Sequence, residues 1–222
     1  ANLDVNLVLL KIPHQHYKTT PQAYVDVHYV DFAPSMAEAS EDVLACGCGE
    51  KQLLTIDALI VTGAPLEQMS FEEVRYWKEL QDIWDWTAHC GIPTLNICWA
   101  AQAALHHFYG WGKRGLAEKC FGIFAQRNLA PQHPLLRGLG ERFPMPHSRH
   151  TEVYWGDTDA EATLQGGDTQ FLPEGLGVLA DSEVGQSIFY NTTRQQTFVT
   201  GNLEYRADTL DGEYRRDLAK GL

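Results

Sequence analysis

The sequence is short of positive charge. Its 222 residues hold 17 Lys and Arg against 29 Asp and Glu, a formal net charge of -12, with a pI near 5.1. Phosphate backbones and anionic headgroups must be met by Lys and Arg in excess, so neither nucleic acid nor a membrane surface is an expected partner. Long hydrophobic runs are also missing. The opening stretch ANLDVNLVLLKIP has no basic flank, and its apolar run is too short for a signal sequence or a membrane span. Cysteine is scarce and odd in number: Cys46, Cys48, Cys90, Cys98 and Cys120 lack the spacing of a secreted disulfide scaffold. Reduced thiols in a cytoplasm are the expectation. There is no internal repeat, low-complexity tract or clear linker. A chain of this length with 44% hydrophobic residues can bury one sizeable core, and a single domain over residues 1–222 is expected.

What is present is a strand and helix alternation. Apolar, β-branched runs at residues 5–12, 24–32, 56–62 and 93–97 fit strands of a buried sheet. Ser70 and Glu73 form a capping box ahead of Tyr76, Leu80, Ile83 and Trp84, which recur at helical spacing and predict a helix running to about Cys90. Gly91-Ile92-Pro93 closes it, and a second helix is expected over residues 99–108. This order implies crossover helices and an open, mostly parallel α/β sheet flanked by helices, with ligands at the carboxyl ends of its strands. Shorter strands are expected near 122–125, 151–155, 177–180, 186–190 and 196–200, and a last helix over 207–220. Residues 34–51 read as a loop or partly ordered insertion. The chain begins almost on a strand and stops in the last turn of a helix, so terminal elements are expected to be missing.

Cys98 is the leading candidate for chemistry. A strand that ends in Cys and turns at once into a small-residue helix, Ile97-Cys98-Trp99-Ala100-Ala101-Gln102-Ala103-Ala104, has the layout of a nucleophile elbow. A helix N-terminus is expected to lower a thiol pKa from its free value of about 8.5. The first helical N–H groups, Trp99 foremost, can receive the oxyanion of a tetrahedral intermediate. On spacing alone, a buried small hydrophobe is the commoner fate of a free cysteine, and both readings stand.

Further segments follow in order: Ile60-Val61-Thr62-Gly63-Ala64-Pro65-Leu66-Glu67, Phe71-Glu72-Glu73-Val74, Tyr76-Trp77, Pro146-His147-Ser148-Arg149-His150-Thr151-Glu152-Val153, Leu179-Ala180-Asp181-Ser182, Phe198-Val199-Thr200-Gly201, Glu204-Tyr205, Asp208-Thr209-Leu210 and residues 213–222. Together with the elbow they resemble the landmarks of the homoserine O-acyltransferase family. The resemblance implies a fold like that of class I glutamine amidotransferases. It also implies a Cys-His-Glu triad and ping-pong acyl transfer from acyl-CoA through a cysteine thioester. Cys98 matches the nucleophile, and Glu204 the acid that orients the imidazole. Arg216 matches the arginine that holds the substrate carboxylate, and Arg149 falls in a segment that lines the substrate site. Read without the resemblance, Arg216 is a charge on the solvated face of a terminal helix. In this family a Glu at the place of Glu67 goes with acetyl-CoA and a Gly with succinyl-CoA; a carboxylate there would repel the free succinyl carboxylate. Glu67 also reads simply as a loop residue before the helix cap. The implied partners are acetyl-CoA as co-substrate, met by a local basic pocket, and homoserine or a similar small amino acid. No permanently bound cofactor or metal is implied, and a homodimer is.

The sequence departs from the family at the base. Where the family has Gly-His-x-Glu-Tyr, this chain reads Gly201-Asn202-Leu203-Glu204-Tyr205. Asparagine cannot accept and return a proton near neutral pH, and loss of acid–base catalysis typically costs about 10² to 10⁴ in rate. Three explanations are open: another histidine serves, with His147 and His150 nearest; the site is inactivated at position 202; or the second substrate supplies its own base. A second departure is Pro13-His14-Gln15 in place of Pro-Lys-Lys, followed by a shortened helix near residues 17–23, where Pro21 would sit badly in a helix interior.

Other features carry less. Cys46-Gly47-Cys48 is too tight for a standard zinc knuckle and reads as loop. His106-His107 lacks a metal partner in sequence, and Trp77, Trp84 and Trp86 on one helix read as core or subunit contact. Two other classes compete with the acyltransferase: a family member that binds CoA or an amino acid without turnover, and a thiol hydrolase or amidase on the same fold.

Overall fold

In a computed structural model, which describes residues 4–13, 17, 20–32, 44–45, 51–52, 56–155, 172–219 and 221, the nucleophile candidate ends the second of three parallel strands. In chain order the elements are β1 (Leu9–Lys11), α1 (Gln22–His28), β2 (Tyr29–Asp31), β3 (Leu44–Ala45), β4 (Lys51–Gln52), β5 (Leu59–Val61), α2 (Trp77–Cys90), β6 (Thr94–Ile97) and α3 (Trp99–Tyr109). Then come β7 (Gly112–Asn128), β8 (Arg142–Tyr154), β9 (Leu176–Ser182), β10 (Gly185–Asn191), β11 (Gln196–Val199) and α4 (Thr209–Ala219). Seven strands form one sheet in the order β5-β6-β11-β10-β9-β7-β8, and β1-β2 and β3-β4 are separate pairs.

The α/β class with flanking helices holds, and the sheet is mixed rather than mostly parallel. Only β5, β6 and β11 pair in parallel within it; the other neighbours are antiparallel. Connection length decides this. Parallel neighbours need a crossover of about a dozen residues or more, which α2 supplies between β5 and β6. Glu183 and Val184 alone join β9 to β10, which leaves only a hairpin. The short strands expected at 122–125 and 151–155 are parts of a long β7–β8 ribbon, registered from Gly112 opposite Tyr154 to Arg127 opposite Arg142, with a shift between Gly115 and Cys120.

Two N-terminal expectations change. The run at 24–32 is not one strand: Gln22–His28 is helical, and only Tyr29–Asp31 is extended, pairing in parallel with β1. Pro21, with φ of -55°, precedes the helix and starts it, a position where its missing N–H costs nothing. Gln22 Nε2 donates to Asp26 Oδ1 at 2.7 Å one turn on, and Val25 is the one buried residue of α1. The capping box at Ser70 and Glu73 forms as expected, but it caps a 3-10 turn at Phe71–Glu73. Val74 then turns extended, with ψ of 121°, because both Phe71 and Val74 are drawn into the core, and α2 begins at Trp77. Residues 44–45 and 51–52 form a short antiparallel ladder. Cys46, Gly47 and Cys48 lie outside the described residues.

Two helices pack side by side on one face of the parallel half. Leu80, Ile83, Trp84 and Trp86 of α2 are buried, and α3 buries every residue from Trp99 to Leu105. The alanines at 100, 101, 103 and 104 let its axis lie close to β6 and β11. A buried polar chain locks α2 to the sheet. Trp84 Nε1 donates to Asn96 Oδ1 at 2.8 Å, Asn96 Nδ2 donates to Gln196 Oε1 at 3.1 Å, and Gln196 Nε2 donates to Thr87 Oγ1 at 3.1 Å. Such a chain tolerates no missing member, since each orphaned group would lose about 1–3 kcal/mol. Helix α4, by contrast, buries no residue. Among the described residues no helix is long and apolar enough to cross a membrane.

Candidate active site

Cys98 sits between β6 and α3 at φ 55° and ψ -118°, a region that non-glycine residues avoid at a cost of about 1–3 kcal/mol. Its backbone is pinned on both sides: Cys98 N–H donates to Val199 O at 2.8 Å, and its carbonyl accepts from Gln102 N–H at 3.2 Å. The turn presses the thiol against the loop after β5. A Cβ placed on Gly63 would lie 3.1 Å from Cys98 Cβ and 3.6 Å from Sγ, so a side chain there would crowd the turn that carries the thiol.

Cys98 is buried, and burial pushes its thiol up to about 11. A hydrogen bond from the Asn202 side chain opposes this, the charges of Glu67 and Glu204 raise it further, and the Trp99 backbone N–H lowers it. The expectation that the helix N-terminus would lower the thiol pKa is therefore overturned: desolvation and two nearby carboxylates outweigh the helix end. The N–H of Trp99 does point toward the sulfur. Its indole is packed in the core, 6.0 Å from the Phe71 ring, with Nε1 unpartnered.

Asn202 is 2% exposed and held at three points. Its N–H donates to Pro146 O at 2.8 Å, its Oδ1 accepts from Ser148 N–H at 2.9 Å, and its Nδ2 donates to Glu204 Oε1 at 3.4 Å. These contacts orient the amide oxygen toward a donor and the amide nitrogen toward a carboxylate. Gly201 makes this position reachable, since a Cβ there would fall 2.8 Å from Met145 Sδ. Glu67 accepts a hydrogen bond from His150 N–H at 2.6 Å.

A cavity of about 460 Å³ brings Cys98, Asn202, Glu204, Glu67 and Arg216 together. It also collects residues assigned no individual role on sequence grounds: Lys119, Ser148, Tyr205, Glu213 and Asp217. Glu213 is their centre. It accepts from Ser148 Oγ and from Tyr205 O–H at 2.8 Å, and burial together with this carboxylate holds the Tyr205 phenol well above its ordinary value. Lys119 Nζ donates to Asp217 Oδ2 at 2.7 Å and keeps that carboxyl below its usual range. Arg216 Nε donates to Asp217 Oδ1 at 3.1 Å. One signal was available in sequence: Glu213, Arg216 and Asp217 share a helix face at i, i+3 and i+4.

Arg149 does not join this group. Along β8, residues 145, 147, 149, 151 and 153 are buried, while Ser148 and His150 turn to the other face and line the Cys98 cavity. Arg149 is 4% exposed and spends its fork on Thr151 O at 3.0 Å and Val184 O at 2.8 Å. It lines a separate cavity of about 250 Å³ with Gln102, Glu152 and Gln186. His147 is likewise remote, packed edge-on against Phe124 at 5.6 Å, its imidazole pushed down to about 4 by burial and then by Arg149. His106 and His107 bind Glu72 and Asp85 at 2.9 and 2.8 Å. Among the described residues no group of three or more His, Cys, Asp or Glu could hold a metal ion.

A pinned, backbone-strained thiol with a backbone N–H beside it and an amide–carboxylate pair facing it can carry an acyl group and hold its oxyanion. It holds no imidazole at position 202 to move the proton. Comparison with known proteins gives this arrangement a context. The family described as homoserine O-succinyltransferase matches residues 1–222. A homoserine O-acetyltransferase of Bacteroides fragilis is 41% identical over 222 residues, covering 99% of this chain and 63% of that protein. A homoserine O-acetyltransferase of Acetivibrio thermocellus is 49% identical over 167 residues, 75% of this chain and 51% of that protein. The chain thus spans 63% and 51% of the lengths of these two relatives. Among solved structures, a glutamine amidotransferase from Thermotoga maritima superposes with a TM-score of 0.55 at 16% identity, covering 73% of this chain and 64% of its own. That likeness bears on the fold alone.

Proposed function

The chain belongs to the homoserine O-succinyltransferase family, and from that premise we propose that it is a homoserine O-acyltransferase that draws on acetyl-CoA and works through a thioester on Cys98. The observation that carries the reading is the elbow at Cys98, with its φ of 55°, facing the Asn202–Glu204 pair. Cys98 Sγ attacks the acyl carbon, the Trp99 N–H receives the oxyanion, and CoA departs with the thiol proton. The hydroxyl of homoserine, or of a similar small amino acid, then attacks the thioester and returns a proton to the sulfur as the ester leaves. Both half-reactions conserve the acyl group, which is the logic of a ping-pong cycle.

The acceptor has complementary partners in the cavity. Arg216, with Lys119, would hold its carboxylate, and Glu213 its ammonium group. Arg149 would act on the site only through β8. Glu67 would exclude a donor with a second carboxylate, favouring acetyl over succinyl. A homodimer in the cytoplasm is the setting proposed for this activity.

One observation favours a second reading, a protein that binds CoA or an amino acid without turnover. The thiol is held at about 11, and Asn202 offers it no proton acceptor. Exposure of the native chain, Asn202→His and Cys98→Ala to acetyl-CoA and to succinyl-CoA, followed by intact-mass measurement, separates the two. The transferase reading expects one acetyl group on the native chain, more rapid loading of Asn202→His, and none on Cys98→Ala. Saturable CoA binding with no adduct on any variant would establish the binding protein instead.

A further inference from the structure

We propose that His150 is the proton acceptor that serves Cys98 in this chain, in place of the imidazole that position 202 lacks. The inference rests on the acyl-transfer reading of the cavity.

Among the described side chains around that cavity, few can take up and return a proton near neutral pH. The guanidinium of Arg216 keeps its proton throughout. Lys119 is engaged by Asp217 at 2.7 Å and lies 3.9 Å from Glu213. In model peptides carboxylates bind a proton roughly two pH units more weakly than imidazole, which makes them poor acceptors for a thiol. An imidazole is the suitable group, and His150 is the histidine that lines the cavity. His147 is excluded because strand alternation turns it to the opposite face of β8, where it is buried.

His150 is also free to act. Its side chain is exposed, and its ring has no hydrogen-bond partner among the described residues, so it can turn without breaking a contact. Its backbone is fixed by the hydrogen bond to Glu67 at 2.6 Å, and the Glu67 carboxylate is close enough to Cys98 to act on the thiol. A carboxylate lining the same cavity would stabilise an imidazolium that turned toward it, the task an acid performs in a catalytic triad. The ring takes the thiol proton directly or through one water. Sγ then bonds to the acyl carbon, the carbon–sulfur bond to CoA breaks, and the imidazolium returns the proton to the departing CoA sulfur. In the second half the ring accepts the acceptor's hydroxyl proton and delivers it to Cys98 Sγ as the new ester leaves.

The test compares the native chain, His150→Gln, Asn202→His and the double variant. Two rates are followed by peptide-mapped mass spectrometry: acetylation of Cys98 by acetyl-CoA, and alkylation of Cys98 by iodoacetamide, which needs no acyl donor. His150→Gln should slow both reactions of the native chain by about 10² or more, within the range of a lost general base. The loss should shrink when Asn202 is replaced by His, where a second imidazole shares the task. Unchanged thermal unfolding of His150→Gln would show the loss to be chemical. Equal rates in His150→Gln and the native chain overturn the proposal. Absence of acetylation in every variant, with alkylation still dependent on His150, would remove the acyl-transfer reading and leave the proton acceptor standing.

Discussion

The two halves of the sheet hold their functional groups by different means. In the parallel half, Cys98 stands at the junction of β6 and α3, with α3 buried from Trp99 to Leu105 and α2 tied in through Trp84, Asn96, Gln196 and Thr87. In the antiparallel half, Glu213, Arg216 and Asp217 stand on α4, which buries no residue. It reaches β7 and β8 by polar contacts from Lys119 and Ser148. Strain needs a rigid surround to persist, and the proposed nucleophile has one in the first half. Recognition of a small zwitterion, as proposed for the acceptor, would ask for charge at a solvated rim, and α4 carries such charge.

That contrast can be broken in order of expected effect. Removing the proposed nucleophile, Cys98→Ala, should abolish acylation entirely, read as loss of the mass adduct. Placing an imidazole at position 202, Asn202→His, should raise the acylation rate, by less than the roughly 10² to 10⁴ that a first general base supplies because His150 already serves the thiol, read from single-turnover loading with acetyl-CoA. Disturbing the rigid half should damage fold and chemistry together. Gly63→Ala sets a methyl 3.1 Å from Cys98 Cβ and should cost about 1–3 kcal/mol of stability as well as slowing loading, checked by denaturant unfolding beside the mass assay. Disturbing the rim should separate them. Tyr205→Phe or Arg216→Lys should raise the KM for the acceptor about tenfold, with thioester formation and unfolding unchanged. The smallest effect is acid-linked. His147 is held down to about 4 by burial, so the unfolded chain, near 6.5, binds the proton first. Its contribution to stability is complete above about pH 6.5 and falls as pH drops toward 4. His147→Gln should flatten that part of a stability–pH curve.

The same contrast explains what the sequence reveals. The elbow, α2 and α3 are legible because rigid packing imposes periodicity: alanines at helical spacing, Leu80, Ile83 and Trp84 along one helix face, Gly91 and Gly110 in left-handed caps. At the antiparallel end, neighbouring residues on β8 face opposite cavities, and nothing in Ser148-Arg149-His150 says which face each takes. Arg149 was expected at the substrate and lines another cavity for that reason. The run at 24–32 misleads because β-branched residues fit a strand until Pro21 and the Gln22–Asp26 contact set a helical start. The thiol at about 11 was illegible because it depends on burial and on two carboxylates, Glu67 and Glu204, distant from each other in sequence. Asn202 was legible at once, since its departure from the family pattern lies in the residue itself.

The most direct test of the central claim is peptide-mapped mass spectrometry of the native chain and Asn202→His after brief exposure to acetyl-CoA, followed by addition of homoserine. Acetyl is expected on Cys98 in both, faster in Asn202→His, with its removal as O-acetylhomoserine forms. An Asn202→His chain that leaves Cys98 unmodified while free CoA and O-acetylhomoserine accumulate, or that never acquires an acetyl group at all, would contradict that claim.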